Sequence, residues 1–413
     1  MWNKPWKLTE GFVFVGGLIL TGLILQLSVG GINWEKVSYP LNVILLFVYL
    51  IFLIILFLFR KKVYLFRWMN CYTAVVPALV WTVVLTLAMG LVKQISEDQQ
   101  PIDFWGLSQM LSFWPFVVTY SWMGTLLGLA VLNRLYPLKF KNIPFLLNHL
   151  GLFIALICAT FGSGDIQRLT MNTQIGKPEW RAIDKKGHVQ ELPLAIELKE
   201  FTIDEYPPKL MLINNQSGKT LPEGKPNNIL LEKGVFQGKL SEWNITIKKS
   251  IQAAAAVSTT DTTNYVKWPS IGATFAVYVK AWNPKMQIQK EGWVSCGSFL
   301  FPYQALHLDS ACSLIMPDRE PERFASTVKI YTEAGMEMNA IIEVNKPLKV
   351  ENWKIYQLSY DEVKGRWSDI SVFELVTDPW LPFVYIGICM MIAGALCLFI
   401  TAQKKKEDDN ELG

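Results

Sequence analysis

Few residues in this chain could do chemistry inside a membrane. Of its three histidines, His149 lies within a charge-free apolar run, Ile143 to Gly162. An imidazole in hydrocarbon costs free energy unless it finds a partner, which makes His149 a functional candidate by position. The other reading is a histidine near the end of its span, hydrogen-bonded to a neighbouring helix or to Asn148. If the role is metal chemistry, a neutral imidazole suits an axial position on haem iron. Bis-histidine ligation would need a second imidazole. No other apolar run contains one, so a partner subunit would have to supply it.

His188 follows Lys186-Gly187 and reads as a solvated turn residue, whereas His307 sits in an aromatic-rich stretch with Phe299, Phe301 and Tyr303. Neither has zinc-ligand spacing. Cys71, Cys158, Cys389 and Cys397 fall in apolar runs, where a thiol packs as a small hydrophobe. Cys296 and Cys312 lie in the polar stretch, as a structural disulfide or as two unrelated thiols. A redox relay is disfavoured, because no Cys-x-x-Cys lowers a thiol pKa. The chain has no Walker A loop, no zincin helix and no Gly-x-Ser-x-Gly elbow, so ATP-driven transport and hydrolysis lack their usual residues. Acidic residues are also missing from the apolar runs, which argues against a proton-coupled permease.

These residues are set in a 413-residue chain that is 51% hydrophobic and only 18% charged. A hydrocarbon slab of about 30 Å needs about 20 apolar residues in a helix. Six charge-free runs qualify: Phe12 to Val29, Leu41 to Phe59, Cys71 to Val92, Trp114 to Leu132, Ile143 to Gly162 and Trp380 to Ile400. The first is as long as a full crossing and reads as a retained anchor, since only Ser28-Val29-Gly30 offers a weak cleavage site.

Cations cluster at alternate ends of these runs. Lys4 and Lys7, then Arg60, Lys61, Lys62 and Arg67, then Arg134, Lys139 and Lys141, then Lys404 to Lys406 form one set. By the positive-inside rule that set is cytoplasmic, with both termini inside. The other short loops hold only Lys36 and Lys93, beside Glu35, Glu97, Asp98 and Asp103. Trp2, Trp6, Trp34, Trp68, Trp105 and Trp380 fall near run ends and are expected to anchor at the lipid headgroups. The net charge of +4 is too slight for a nucleic-acid footprint.

Between the fifth and sixth runs, Ser163 to Asp378, the pattern changes to short alternating stretches. Leu194, Ile196 and Leu198 alternate, as do Trp243, Ile245 and Ile247, then Phe275, Val277 and Val279, then Val328 and Ile330. Period two with turn signals between stretches predicts β structure. The expected fold is an α-helical membrane protein with six transmembrane helices and one β-rich extracytoplasmic domain inserted between helices five and six. Its boundaries are residues 1–162 for the five-helix region, 163–378 for the β domain, built as a sandwich or two subdomains, and 379–413 for the last helix and a short basic tail. Ala253 to Thr263 reads as a loop, and Gly162-Ser163-Gly164 as a flexible exit from the fifth span.

Val344-Asn345-Lys346-Pro347-Leu348, followed by Trp353-Lys354-Ile355-Tyr356-Gln357-Leu358-Ser359-Tyr360-Asp361, resembles the signature of ResB-type (CcsB-type) cytochrome c biogenesis proteins. Those show a V-N-x-P-L element with Asn345 and Pro347, a Y-Q-x-S-Y element with Tyr356, Gln357 and Tyr360, and a final span opening with D-P, here Asp378-Pro379-Trp380. His149-Leu150-Gly151-Leu152 is similar to the family's histidine-led span, and Leu192-Pro193-Leu194 with Phe201 and Tyr206 to its first extracytoplasmic strand. The likeness runs from Leu146 to Phe399. It departs from simpler members in having five spans before the domain rather than three, and in a compact domain whose cysteine pair matches no defined role.

The resemblance implies a membrane subunit for covalent haem attachment to c-type cytochromes, residing in the cytoplasmic (inner) membrane. Its expected partners are a CcsA-type tryptophan-rich membrane subunit, apocytochrome c and membrane lipid, with no nucleic acid. This chain lacks the tryptophan-rich motif and so corresponds to the ResB half. Carried over residue by residue, His149 is the transmembrane axial ligand to a transiently held haem b shared with the partner. The β domain would present the reduced Cys-x-x-Cys-His segment of the client, and bond formation would occur mainly on the partner. The alternative is a haem-free, membrane-anchored binding or sensor protein.

Overall fold

The computed structural model describes residues 2–96, 99–232, 236–258 and 263–411, with side chains described up to residue 400. Glu97 and Asp98, read above as part of a weakly charged loop, lie outside the described residues, as do the side chains of Lys404 to Lys406. The chain divides into two compact units, residues 1–167 with 377–413, and residues 168–376.

The first unit is helical: α1 (Leu8–Val29), α2 (Leu41–Phe59), α3 (Tyr64–Trp68), α4 (Tyr72–Leu91), α5 (Trp114–Leu135), α6 (Ile143–Gly162) and α7 (Leu381–Glu411). All but the short α3 are long and apolar enough to cross a membrane. Helix α5 is the most enclosed of these and packs on α1, α2, α4 and α6. Its Gly124 and Gly128 admit that closeness, since a Cβ on Gly128 would come 2.9 Å from both Leu53 and Phe153.

Two expectations for this unit are corrected. Trp68 is only 2% exposed, packed edge-on against Trp6 and Phe14, so it is a core residue rather than a headgroup anchor. Gly162-Ser163-Gly164 is not a flexible exit but runs into a 3-10 turn at Ser163–Asp165. A Cβ on Gly162 would come 2.5 Å from the Trp380 side chain, and one on Gly164 would come 2.4 Å from the Trp34 carbonyl oxygen. These glycines are small so that other chain segments can seat against them.

The second unit is β throughout, with β1 (Gln167–Gln174), β2 (Pro178–Ile183), β3 (Val189–Glu205), β4 (Lys209–Asn214), β5 (Thr220–Leu221), β6 (Asn228–Leu230), β7 (Gln237–Leu240), β8 (Trp243–Ser258), β9 (Thr263–Lys267), β10 (Thr274–Asn283), β11 (Ile288–Ser295), β12 (Leu306–His307), β13 (Cys312–Ile315), β14 (Pro321–Thr332), β15 (Glu337–Glu343), β16 (Leu348–Val350), β17 (Trp353–Tyr360) and β18 (Ile370–Thr377). An eight-stranded sheet in the order β15-β14-β3-β2-β1-β18-β17-β16 curls until β15 meets β16 and β17 from the opposite edge. It encloses Leu194, Ile196, Leu198, Val328, Ile330 and Phe373. Two five-stranded sheets, β11-β10-β8-β7 with β9 and β12-β13-β4-β5 with β6, enclose a separate core around Trp243, Ile245, Val277, Val279 and Leu314. Of the two architectures open from sequence, the domain thus has two cores.

The alternating residues read from sequence all face these cores. Ala253 to Thr263, however, is not a loop: β8 continues to Ser258 and β9 begins at Thr263, with residues 259–262 outside the described residues. Ala254 is fully buried beneath Tyr265 of β9, beside Ala276 of β10. An all-small strand carries little apolar signal of its own, and the covering ring lies on its neighbour.

Candidate functional site

His149 occupies the second turn of α6. Its ring stacks on Phe145 with centroids 3.7 Å apart, and Nδ1 lies 3.0 Å from the Phe145 carbonyl oxygen. A carbonyl can only accept, so Nδ1 carries the proton and the neutral ring keeps its lone pair on Nε2. Nε2 has no hydrogen-bond partner among the described residues. The side chain is half-buried. Bonding thus occurs within its own helix, not to Asn148, whose Nδ2 donates instead to the Met391 carbonyl at 3.4 Å.

The rotation of α6 is fixed by α7, its most extensive neighbour. A Cβ on Gly151 would come 2.5 Å from the Gly387 carbonyl oxygen, one on Gly387 2.6 Å from that of Gly151, and one on Gly394 2.5 Å from the Asn148 nitrogen. Small residues therefore bring the two backbones into contact. At roughly 100° per residue, His149 leaves the helix about 130° round from this contact, on a side free of α7.

A carboxylate pins the far end of α6. Asp165 accepts from the Tyr39 backbone N–H, the Asn42 Nδ2 and the Trp380 Nε1, each at 2.7 Å. Asn42, fully buried, also donates to the Phe161 carbonyl. The D-P element acts here: the Asp378 carboxylate accepts from the Trp380 and Leu381 N–H groups and caps the start of α7.

In the β unit the remaining motif residues are architectural. Asn345 takes φ +64 in the β15–β16 turn, a conformation Asn tolerates better than most residues, and Pro347 immediately precedes β16. Arg323 and Lys346 clamp Glu343 at the turn, holding its carboxyl down to about 2. Tyr356 pairs with Glu374 across β17 and β18. Gln357 crosses the interior of the curled sheet: its Oε1 accepts from Ser326 at 2.6 Å and its Nε2 donates to Ser371 at 2.8 Å. Both serines are fully buried. Tyr360 stacks on Phe201 with centroids 5.0 Å apart.

Tyr360 and Cys296 share a cleft of about 440 Å³. Glu205 crosses its wall, bridged to Arg319 at 2.9 Å and to Arg366 at 3.3 Å. Cys296 and Cys312 are both unbonded. Cys312 is buried, and burial together with the Asp309 carboxylate pushes its thiol up to about 11, leaving it a poor nucleophile at neutral pH. Ser313 and His307 form a hydrogen-bonded pair at 2.8 Å, while His188 is 73% exposed beside Asp184, as its turn predicted.

Sequence reasoning missed Asp165, the glycines facing between α6 and α7, and the Arg319–Glu205–Arg366 group. The first had a legible signal, an acid immediately after an apolar run. The others are visible only once distant segments meet.

No curated protein matches the chain. A model of the ResB-like family matches residues 272–369, from just before β10 to just before β18. The match contains the V-N-x-P-L and Y-Q-x-S-Y elements and every residue lining the cleft except Ile203 and Glu205. Over residues 272–369 the chain is thus similar to the ResB-like family, a likeness consistent with a ResB/CcsB-type cytochrome c biogenesis protein.

Proposed function

We infer that the chain is the ResB-type membrane subunit of a cytochrome c maturation complex, and that His149 provides one axial ligand to a haem shared with a CcsA-type subunit. The observation that carries this is the tautomer of His149. Its Nδ1 proton is committed to Phe145, so Nε2 is left as a lone-pair donor. A hydrogen bond from the other ring nitrogen to a carbonyl orients ligating histidines and raises their basicity. A single imidazole fits one of the two axial positions, so the second comes from the partner. When bound, the haem supplies the vinyl groups to which client thiols add. The work of this chain is to hold and orient: α7 and Asp165 fix α6, and α6 aims the ring.

The distribution of Lys and Arg supports termini on the cytoplasmic side of the inner membrane with the β unit outside. There the cleft bearing Tyr360 and Cys296, built almost wholly from the family-matched segment, offers a place for apocytochrome c. Extraction in mild detergent tests the reading: a tryptophan-rich membrane subunit and a haem absorption band should co-elute with the chain. Elution alone and colourless would contradict it.

A further inference from the structure

We propose that the cavity between α2, α5 and α6 binds the dihydroxy ring of a membrane quinol. The cavity holds about 280 Å³, just below the roughly 300–1,000 Å³ of small-molecule sites, which in bundles lie between helices. That is room for one substituted ring rather than a porphyrin, and no histidine, cysteine or methionine lines it. Six aromatic side chains do: Tyr49 of α2, Trp114 and Tyr120 of α5, Phe153 and Phe161 of α6, and Trp34 of the α1–α2 connection. Two of these rings are tied in place. The Trp34 indole donates to the Leu111 carbonyl at 3.1 Å, and the Trp114 indole to the Gly30 carbonyl at 2.9 Å. Fixed ring walls favour a flat aromatic guest, which can stack on them or meet them edge-on.

Hydrogen bonding selects the guest. Thr125 Oγ1 donates to the Ser121 carbonyl at 2.8 Å, so its proton is spent. In the contact of 3.4 Å between Thr125 Oγ1 and the Tyr49 hydroxyl, Tyr49 is therefore the donor. Its oxygen keeps its lone pairs, and a guest that meets it there must donate. Ser121, also in the lining, is exposed, and its hydroxyl has no partner among the described residues. A ring bearing two hydroxyls satisfies both groups, donating to Tyr49 and sharing a bond with Ser121. A hydrocarbon tail would leave them unpaired away from water, which costs free energy. A phospholipid headgroup would find no charge to pair with, since no Asp, Glu, Lys or Arg lines the cavity.

Access suits a lipid-borne molecule. Leu45 of α2 is 39% exposed and Ser121 of α5 is exposed, so the cavity opens on the side of the bundle that meets hydrocarbon, where an isoprenoid tail can remain. Gly124 makes the room. A Cβ there would meet the Tyr49 hydroxyl oxygen at 3.5 Å and Ile157 at 3.8 Å, both ordinary contacts, and the rest of a longer side chain would occupy the cavity.

The inference is independent of haem at His149, and its test reads no haem. Full-length protein in lipid nanodiscs is titrated with decylubiquinol and, separately, with decylubiquinone, with empty nanodiscs as the blank. The quinol should bind more tightly than the quinone, because Tyr49 offers an acceptor. Tyr49→Phe should weaken quinol binding by about 2- to 10-fold, the range for one neutral hydrogen bond, and abolish the preference for the quinol. Gly124→Leu should weaken binding of both forms at least about tenfold without lowering the thermal midpoint, and Gly16→Ala, in open space, should change nothing. Equal affinity of the wild type for quinol and quinone overturns the proposal, as does quinol binding unchanged in Gly124→Leu. Decanol competing as well as the quinol would show a slot for tails only and overturns it too. Should Gly124→Leu fail to fold, the quinol preference and its loss in Tyr49→Phe decide the matter.

Discussion

Trp380 and Asp165 lie 215 positions apart in the chain and are joined by a hydrogen bond of 2.7 Å from the indole Nε1 to the carboxylate. That bond couples the start of α7 to the end of α6, and the same carboxylate holds Asn42 at the start of α2. Hydrogen bonds to a charged group contribute about 1.5–3 kcal/mol. Trp380→Phe keeps the ring and deletes the donor, and should destabilise the detergent-solubilised protein by an amount in that range, read as a lower thermal midpoint. Asp165→Ala, which orphans three donors, should cost more. An unchanged midpoint for both would show that the carboxylate holds nothing.

Helix α7 sets the aim of α6 through backbone contact. Gly387→Leu and Gly394→Leu each place a side chain where a backbone atom already stands. Because overpacking ordinarily costs about 1–3 kcal/mol and backbone cannot step aside as a side chain can, the upper end is expected, together with loss of haem. Gly16→Ala, in open space, is the control and should be silent in both assays. Destabilisation by Gly16→Ala equal to that by Gly394→Leu would dismiss the contact.

Gln357 is the polar thread of the curled sheet. Gln357→Leu leaves the Ser326 and Ser371 hydroxyls buried with fewer partners, and each such group costs about 1–3 kcal/mol. Urea unfolding followed on the β-sheet signal should show a loss of that order. Adding Ser326→Ala and Ser371→Ala to Gln357→Leu should recover part of it, because the two buried hydroxyls that lost Gln357 are then gone. A triple variant less stable than Gln357→Leu would argue against the network.

Acid should weaken the β15–β16 turn. The Glu343 carboxyl is held at about 2, below its ordinary value of 4.5, by Arg323 and Lys346. A carboxylate depressed on folding stabilises fully above the unfolded value and loses that contribution as pH falls. The stability gap between wild type and Arg323→Ala should therefore be widest above about pH 4.5 and close toward pH 2. A gap independent of pH would show that Arg323 acts through packing alone.

The alternation at Leu194, Ile196 and Leu198, and at Phe275, Val277 and Val279, revealed the strands because each of those side chains reports its own burial. The long apolar runs revealed the helices for the same reason. Ala254 reported nothing, since its burial is conferred by Tyr265, and Trp68 misled because a tryptophan at a helix end can serve lipid or core alike. At the candidate site, His149 was legible as an ionisable residue in an apolar run. The tautomer that leaves a lone pair on Nε2 was not, because it depends on a carbonyl one turn away. Ser313, the hydrogen-bond partner of His307, also donates to Asn215, 98 positions away. No local pattern marks such a meeting, which strand pairing between β4 and β13 creates.

The central claim is that the Nε2 of His149 holds iron. The most direct measurement is the absorption spectrum of the complex purified with its tryptophan-rich partner, comparing wild type with His149→Ala and with His149→Ala plus free imidazole. The account predicts a Soret band that falls in the variant and returns with imidazole. A band of unchanged position and intensity in His149→Ala would contradict it.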